Sequence, residues 1–286
     1  MSWIALDLLM FASSVVLYLT VRWVSLAKVT VQFNNLAMFV VPMVMFALIG
    51  IATHASYRIT VKQAVILLIT GIFFAYISNV ASLKSIELAP NPGYSLVISK
   101  SYVVLTTFLA IPLFGSPVTL KALAAIGLIV ACSALILVQR KQGQHAKSVS
   151  WLPLALVAFV GWAFLSLSGK YLFKEGMPAI TFLTYFYLIV VICIAVEMRL
   201  KKLSWKIIGE HPRSFLAIGA LATSFNYFNF TAISRAPNVG YVNATNAASI
   251  GVVTIFAILL FKDEFSIRKL IGVIGVIGGL GLLFLG

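Results

Sequence analysis

The chain has 286 residues, of which 62% are hydrophobic and only 10% charged, with a net charge of +14 and a mean hydropathy of +1.07. Soluble domains carry about 25% charged residues and are roughly half apolar, so an ordinary soluble enzyme, a disordered chain and a disulfide scaffold are excluded. The solvent for most of this chain is lipid, and at about 20 apolar residues per span its length accommodates roughly ten or eleven spans.

The first apolar run covers about residues 3–21 and stops at Arg22. A second covers about 33–53 and ends before His54, Arg58 and Lys62; a third, about 63–83, ends at Lys84 and Glu87. Ala89-Pro90-Asn91-Pro92-Gly93 then breaks the chain, because proline donates no hydrogen bond and restricts the residue before it. A fourth run reaches about Phe114, Gly115-Ser116-Pro117 forms a tight turn, and a fifth run covers about 119–138. Residues 139–150 are the one polar, linker-like stretch, at the midpoint of the chain. Further runs follow at about 151–172, 179–198, 213–234, 239–261 and 267–285. The pattern predicts an all-α, polytopic membrane protein of ten transmembrane helices, multi-pass in the cell (plasma or inner) membrane. No segment alternates as a membrane β-barrel strand does.

The 21 basic residues sit mostly in short breaks between apolar runs, where they anchor topology and meet anionic headgroups. They are not interleaved with aromatics on a polar surface, so the partners expected are lipid and a small molecule, not nucleic acid. Cys132 and Cys193 fall inside apolar runs and read as packing residues. Met1-Ser2-Trp3 has no basic leader region, so the first run reads as an uncleaved span.

The second half repeats the first. Ala89-Pro90-Asn91-Pro92-Gly93-Tyr94 matches Ala236-Pro237-Asn238-Val239-Gly240-Tyr241 at an offset of 237 − 90 = 147. The same offset carries Asn79 onto Asn226, Leu113-Phe114 onto Leu260-Phe261 and Lys121 onto Arg268 without a gap. This divides the chain into a first five-helix repeat (1–138), a linker (139–150) and a second five-helix repeat (151–286). An odd number of helices per repeat makes the second unit enter the membrane from the opposite side. Inverted repeats are the architecture of alternating-access transporters, with the site near the midplane. Pro90, Pro92, Gly93, Pro237 and Gly240 are the expected hinges.

Ten helices in two five-helix repeats, each with a proline–glycine break before its fourth helix and a small turn before its fifth, resemble the EamA-type members of the drug/metabolite transporter superfamily. The resemblance rests on Ala89–Tyr94 with Gly115-Ser116-Pro117, and Ala236–Tyr241 with Lys262-Asp263-Glu264. It implies a central cavity lined by the first, third, fourth, sixth, eighth and ninth helices, with the fifth and tenth at the periphery. It also implies a glutamate before the tenth helix, which Glu264 supplies; its first-half counterpart, Pro117, departs from that pattern.

Polar side chains within spans are costly in lipid and face the interior or a water-filled cavity. On the fourth helix Ser95, Ser99, Tyr102 and Thr106 share a face; on the ninth, Asn243, Asn246 and Ser249 do. The offset relates Ser99 to Asn246 and Tyr102 to Ser249. Asn79 and Asn226 are a third such pair, and Asn229 lies one turn further on. Lys100, whose repeat mate is Ala247, places a cation roughly 12 Å into the fourth helix, where it faces a substrate carboxylate or phosphate or else snorkels. Tyr18, Trp162, Tyr171, Tyr227 and Tyr241 offer aromatic faces that could stack on a substrate or serve packing. The candidate site is therefore Asn79, Tyr94, Ser99, Lys100, Tyr102, Trp162, Asn226, Tyr241, Asn243, Asn246 and Ser249. It suits a small polar metabolite, with an amino acid or another carboxylate-bearing solute favoured; the alternative is a scaffold or a subunit that handles lipid-linked precursors.

No mid-span cluster of His, Asp or Glu suggests an enzyme, a metal or a cofactor, and no phosphate-binding loop suggests ATP drive. No acid stands near the centre of a span, and Asp7 lies towards one membrane face. Gly275 and Gly279 on the tenth helix allow close packing, expected against the Ala131–Cys132 face of the fifth; monomer and homodimer both stay open. With Lys100 set aside, 14 basic residues fall on the side of the 1–2, 3–4, 5–6, 7–8 and 9–10 connections and six on the other (Lys170 among them). The positive-inside rule then places both termini outside, whereas the resemblance implies cytoplasmic termini.

Overall fold

The computed structural model describes residues 1–26, 31–89, 92–138, 150–203, 205, 207–262 and 266–285. Pro90, Asn91, Asp263, Glu264 and nearly all of the 139–150 linker lie outside them. The described residues form helices α1 (Trp3–Leu26), α2 (Val31–Ala52), α3 (Val61–Leu88), α4 (Gly93–Phe114), α5 (Leu120–Leu137), α6 (Trp151–Lys174), α7 (Ala179–Leu200), α8 (Pro212–Arg235), α9 (Val239–Phe261) and α10 (Ile267–Leu285). A single turn, Ile207–Glu210, precedes α8. Among the described residues there is no strand. Among the described residues nine helices, all but α8, are long and apolar enough to cross a membrane; the chain is an all-helical, multi-pass membrane protein. α8 is 24 residues long, but its Asn, Ser and Thr content keeps it out of that class.

Several helices extend beyond their apolar runs. α3 starts at a capping box: Thr60 Oγ1 accepts from the Gln63 amide at 3.2 Å, and Gln63 Oε1 accepts from the Thr60 amide at 2.9 Å. It carries Lys84 and Glu87 in regular helix and stops at Ala89, whose extended backbone the following proline imposes. Two irregularities occur within the spans without a proline at the break. Residues Thr70–Ile77 of α3 are π-helical, and α4 is interrupted at Ser101, where Val104 N donates to Ser101 O in a tighter turn. Such defects within helices recur at functional sites.

The 147-residue offset reappears in backbone geometry. Ala89 and Ala236 both end a helix at φ −64°, ψ 144°. Gly115 (φ 64°) and its counterpart Lys262 (φ 55°) both end a helix in the left-handed region; glycine enters it freely and lysine does not. Thr119 and Ser266 each cap the next helix, accepting from the amides of Ala122 at 3.1 Å and Lys269 at 3.3 Å.

Two apolar clusters flank the middle. The larger joins α1, α2, α6, α7 and α8 around Phe182, Phe186 and Phe230, whose ring centroids lie 4.9 to 6.0 Å apart. The smaller joins α4, α5, α9 and α10. Lipid is as apolar as leucine, so helices associate in it through close packing. α10 achieves this with glycines: a Cβ at Gly272, Gly275 or Gly279 would collide with Ile136, Cys132 or Ile129 of α5. The contact face of α5 is thus Ile129, Cys132 and Ile136. The sequence-based expectation holds for Cys132 and fails for Ala131, which points outward and is exposed, one residue off the buried stripe. Gly275→Leu should lower the unfolding temperature in detergent by the equivalent of about 1–3 kcal/mol of overpacking. Gly278→Leu, where a Cβ meets nothing within 4 Å, should leave it nearly unchanged.

Candidate functional site

The helices enclose a cavity of about 730 Å³. Its lining comes from every one of α1–α10, so the wall is broader than the six-helix set implied by the resemblance: Asn35 and Phe39 of α2, Tyr187 of α7, Leu137 of α5 and Lys269 of α10 all contribute. Lining residues extend from mid-helix to the helix ends that hold Arg22, Ser82, Gly93, Leu137 and Lys269. None comes from the ends that hold Trp3, Phe114, Lys174 or Val239. The cavity therefore opens on the face opposite the two termini and is sealed on the face that holds them.

Eight of the eleven candidate residues lie in its wall: Asn79, Ser99, Lys100, Tyr102, Trp162, Asn226, Asn246 and Ser249. The π-helical stretch of α3 ends just before Asn79, whose amide donates to Asn35 Oδ1 at 2.9 Å. The tight turn of α4 lies between Lys100 and Tyr102. The Lys100 ammonium lies beside the Tyr18 and Tyr102 hydroxyls, and the Asn246 side chain lies beside Tyr102. The carbonyl oxygens of Asn229 and Asn246 are buried acceptors without a donor among the described residues. Asn226 donates to Ala222 O of its own helix at 2.8 Å. The lining contains Arg22, Lys100 and Lys269 and no carboxylate.

Three candidates are placed elsewhere. Asn243 is buried in the seal, where it donates to Thr106 Oγ1 at 3.2 Å and accepts from Ser166 Oγ at 3.4 Å. It shares a helix face with Asn246 but sits one turn nearer the closed end. Tyr241 donates to Pro117 O at 3.2 Å and packs on Trp3 with ring centroids 6.3 Å apart. Tyr94 is 40% exposed and lies outside the lining. Of the fourth helix's polar face, Ser95 donates to Ser85 at 2.7 Å, and Thr106 belongs to the seal.

Of the expected hinges, Gly93 lines the mouth, and Pro92 begins the first part of α4. Pro237 follows the break at Ala236. Gly240 closes the seal: a Cβ there would collide with Thr107 of α4. Asn238 caps α9, accepting from the Gly240 amide at 2.8 Å, and donates to Thr107 O at 3.4 Å.

Lys170 was assigned to a connection by the charge count, but it is a buried interior residue of α6. Its ammonium donates to the carbonyl oxygens of Ile233 (2.9 Å), Ser234 (3.1 Å) and Ala236 (2.8 Å), which α8 leaves unpaired where it ends before Pro237. Lys174 donates to Phe114 O at 3.1 Å, Arg235 to Met1 O at 2.7 Å, and Lys62 pairs with Glu175 at 3.3 Å, all on the sealed face. The cue available in sequence was the Pro237 break itself, since carbonyls freed inside a membrane protein require a donor.

No family model matches the chain, and no curated protein does. Solved structures do. One, described only as "Crystal structure of protein", superposes with a TM-score of 0.79 over 98% of this chain and 96% of that one, at 15% identity. The likeness is one of fold.

Removing the Lys170 ammonium leaves three carbonyls without a donor, and each buried unsatisfied group costs about 1–3 kcal/mol. Lys170→Met should sharply lower the thermal unfolding midpoint in detergent. Lys174→Met, at a position that holds a single carbonyl near the surface, should lower it far less.

Proposed function

We propose that the chain is a ten-span secondary transporter with inverted five-helix repeats of the EamA type, carrying a small polar metabolite across the cell membrane by alternating access. In this reading α8 is the tenth span, and its polarity reflects the cavity it faces. The observation that carries the reading is a set of contacts that are closed at one face and have their repeat mates apart at the other. Thr106 and Asn243 are hydrogen-bonded in the seal; their mates at the 147 offset, Val253 and Leu96, both line the mouth. Thr107 and Gly240 touch in the seal; their mates, Thr254 and Gly93, again line the mouth. Tyr241 is buried, and its mate Tyr94 is exposed. Exchanging the conformations of the two repeats would bring the mouth pairs together and part the seal pairs, which is what alternating access requires.

Substrate chemistry follows from the wall. Lys100 suits a carboxylate, the donor-free oxygens of Asn229 and Asn246 suit N–H groups, and Trp162, Tyr187 and Phe39 suit an apolar portion. An amino acid or a related carboxylate carries all three. The scaffold alternative leaves a cavity of this size, with Lys100 and the asparagines in its largely apolar wall, without a role.

Two measurements test the reading. In proteoliposomes screened with radiolabelled amino acids, Lys100→Ala and Asn246→Ala should each reduce flux at least about tenfold without loss of folding, since a buried charged contact is worth about 1.5–3 kcal/mol. Flux that is absent, or indifferent to both changes, would favour the scaffold. A Leu96→Cys/Val253→Cys pair should form a disulfide and trap the protein with its mouth shut; failure to cross-link under any condition would refute the exchange of the two repeats.

A further inference from the structure

The sealed face holds one acid that the cavity does not explain. Asp7 of α1 is fully buried, and neither of its carboxyl oxygens has a hydrogen-bond partner among the described residues. The side chain that meets it is Thr245 of α9. Thr245 has one hydroxyl hydrogen, and it is directed to Tyr241 O at 3.1 Å. That hydrogen reaches a carboxylate only by leaving the Tyr241 carbonyl, whereas the oxygen's lone pairs can accept without that loss. An ionised Asp7 here would be a desolvated charge whose one available donor, the Thr245 hydroxyl, would have to give up Tyr241 O. A protonated Asp7 completes a chain in which its O–H donates to Thr245 and Thr245 donates to the Tyr241 carbonyl.

The neighbouring groups supply no counter-ion. α1 packs on α8 and α9, and Trp3 packs on Phe284 of α10. At this level α8 offers Arg235, whose guanidinium holds Met1 O at the surface, and α9 offers Tyr241, whose hydroxyl holds Pro117 O. The end of α10, from Gly279 to Leu285, has no titratable side chain. Lys170 of α6 is held by its three carbonyls, and α1's own end adds only the Met1 amine. A metal cation would need several oxygens in a shell, and Asp7 meets one hydroxyl. The repeat mates of Asp7 and Thr245 are Leu154 and Ile98, so the helix packing requires neither polar group.

We propose that Asp7 is a proton-binding site that couples opening of the termini face to proton release. While α1 and α9 are closed on each other the carboxyl is neutral. When the seal parts and water enters from that face, the O–H bond breaks, the electron pair stays on the carboxylate, and the proton passes to a water molecule; closing takes one proton back from the same side. No net proton crosses the membrane in this sequence of steps; the site makes opening of the termini face depend on the pH of that side, which the cavity residues alone do not provide. The inference rests on the alternating-access reading, and two independent readouts separate the fates of the two.

The first is infrared difference spectroscopy of the purified full-length protein in nanodiscs. A protonated-carboxyl C=O band should persist above the pH at which ordinary carboxylates ionise, and Asp7→Asn should remove it. The second is the rate of disulfide formation by the Leu96→Cys/Val253→Cys pair, which requires the termini face to open. One coupled proton raises the open-to-closed ratio by up to about tenfold per pH unit. The cross-linking rate with Asp7 present, divided by that in the Asp7→Asn background, which cancels thiol chemistry, should rise with pH, and Asp7→Glu should retain the rise. No band assignable to Asp7, or a pH-independent ratio, overturns the proposal. A band without cross-linking in any background overturns the alternating-access reading, and the coupling role falls with it.

Discussion

Hydrocarbon cannot satisfy a polar group, and this constraint organises the whole molecule. Asparagine, serine, threonine and lysine side chains occur within its long helices. Each must find a protein partner or face water held inside the protein. The chain does both, in different places. At the termini face Asn243, Thr106, Asn238 and Lys170 satisfy one another or free carbonyls, and Ser166, at the cavity's edge, donates to Asn243. In mid-membrane and towards the other face Asn79, Asn226, Asn229, Asn246 and Lys100 border a cavity. α8 carries enough of these groups to fail a hydropathy criterion although it is as long as α1 and α6.

The distribution is asymmetric although the sequence repeat is not. Related positions make a hydrogen bond or a tight contact at one face and stand in the cavity wall at the other. Lys170 adds to the difference: its repeat mate is Trp23, which is 63% exposed and clamps nothing. Under the proposed function, a seal held by a lysine at one end only biases the protein towards one of two arrangements and sets the resting state. Asp7 lies at the same end, buried against α9.

Much of this was legible in the sequence. Helix ends followed from Pro90, Pro237 and Gly115, and the polar faces of α4 and α9 followed from three- and four-residue spacings. Depth was not legible. Asn243 and Asn246 lie on one face a turn apart, yet one is in the seal and the other at the cavity, because the boundary is set by how α4 crosses α9 at Thr107 and Gly240. The charge count placed Lys170 in a connection because α6 continues past its apolar run, and only the fold brings it to the freed carbonyls of Ile233, Ser234 and Ala236. The turn at Ser101 has neither glycine nor proline at the break, and the π-helical stretch of α3 holds only Gly71, packed closely on Ile189 of α7, which the sequence does not set apart from any other glycine within a span.

The boundary between seal and cavity is the central claim, and it can be probed directly. In protein lacking Cys132 and Cys193, Asn246→Cys and Asn243→Cys can each be exposed to a small, membrane-impermeant methanethiosulfonate from either side of the membrane. The account predicts modification of the cysteine at 246 from the face opposite the termini, with the cysteine at 243 protected. Equal protection at both positions, or modification at 246 only from the termini face, would contradict it.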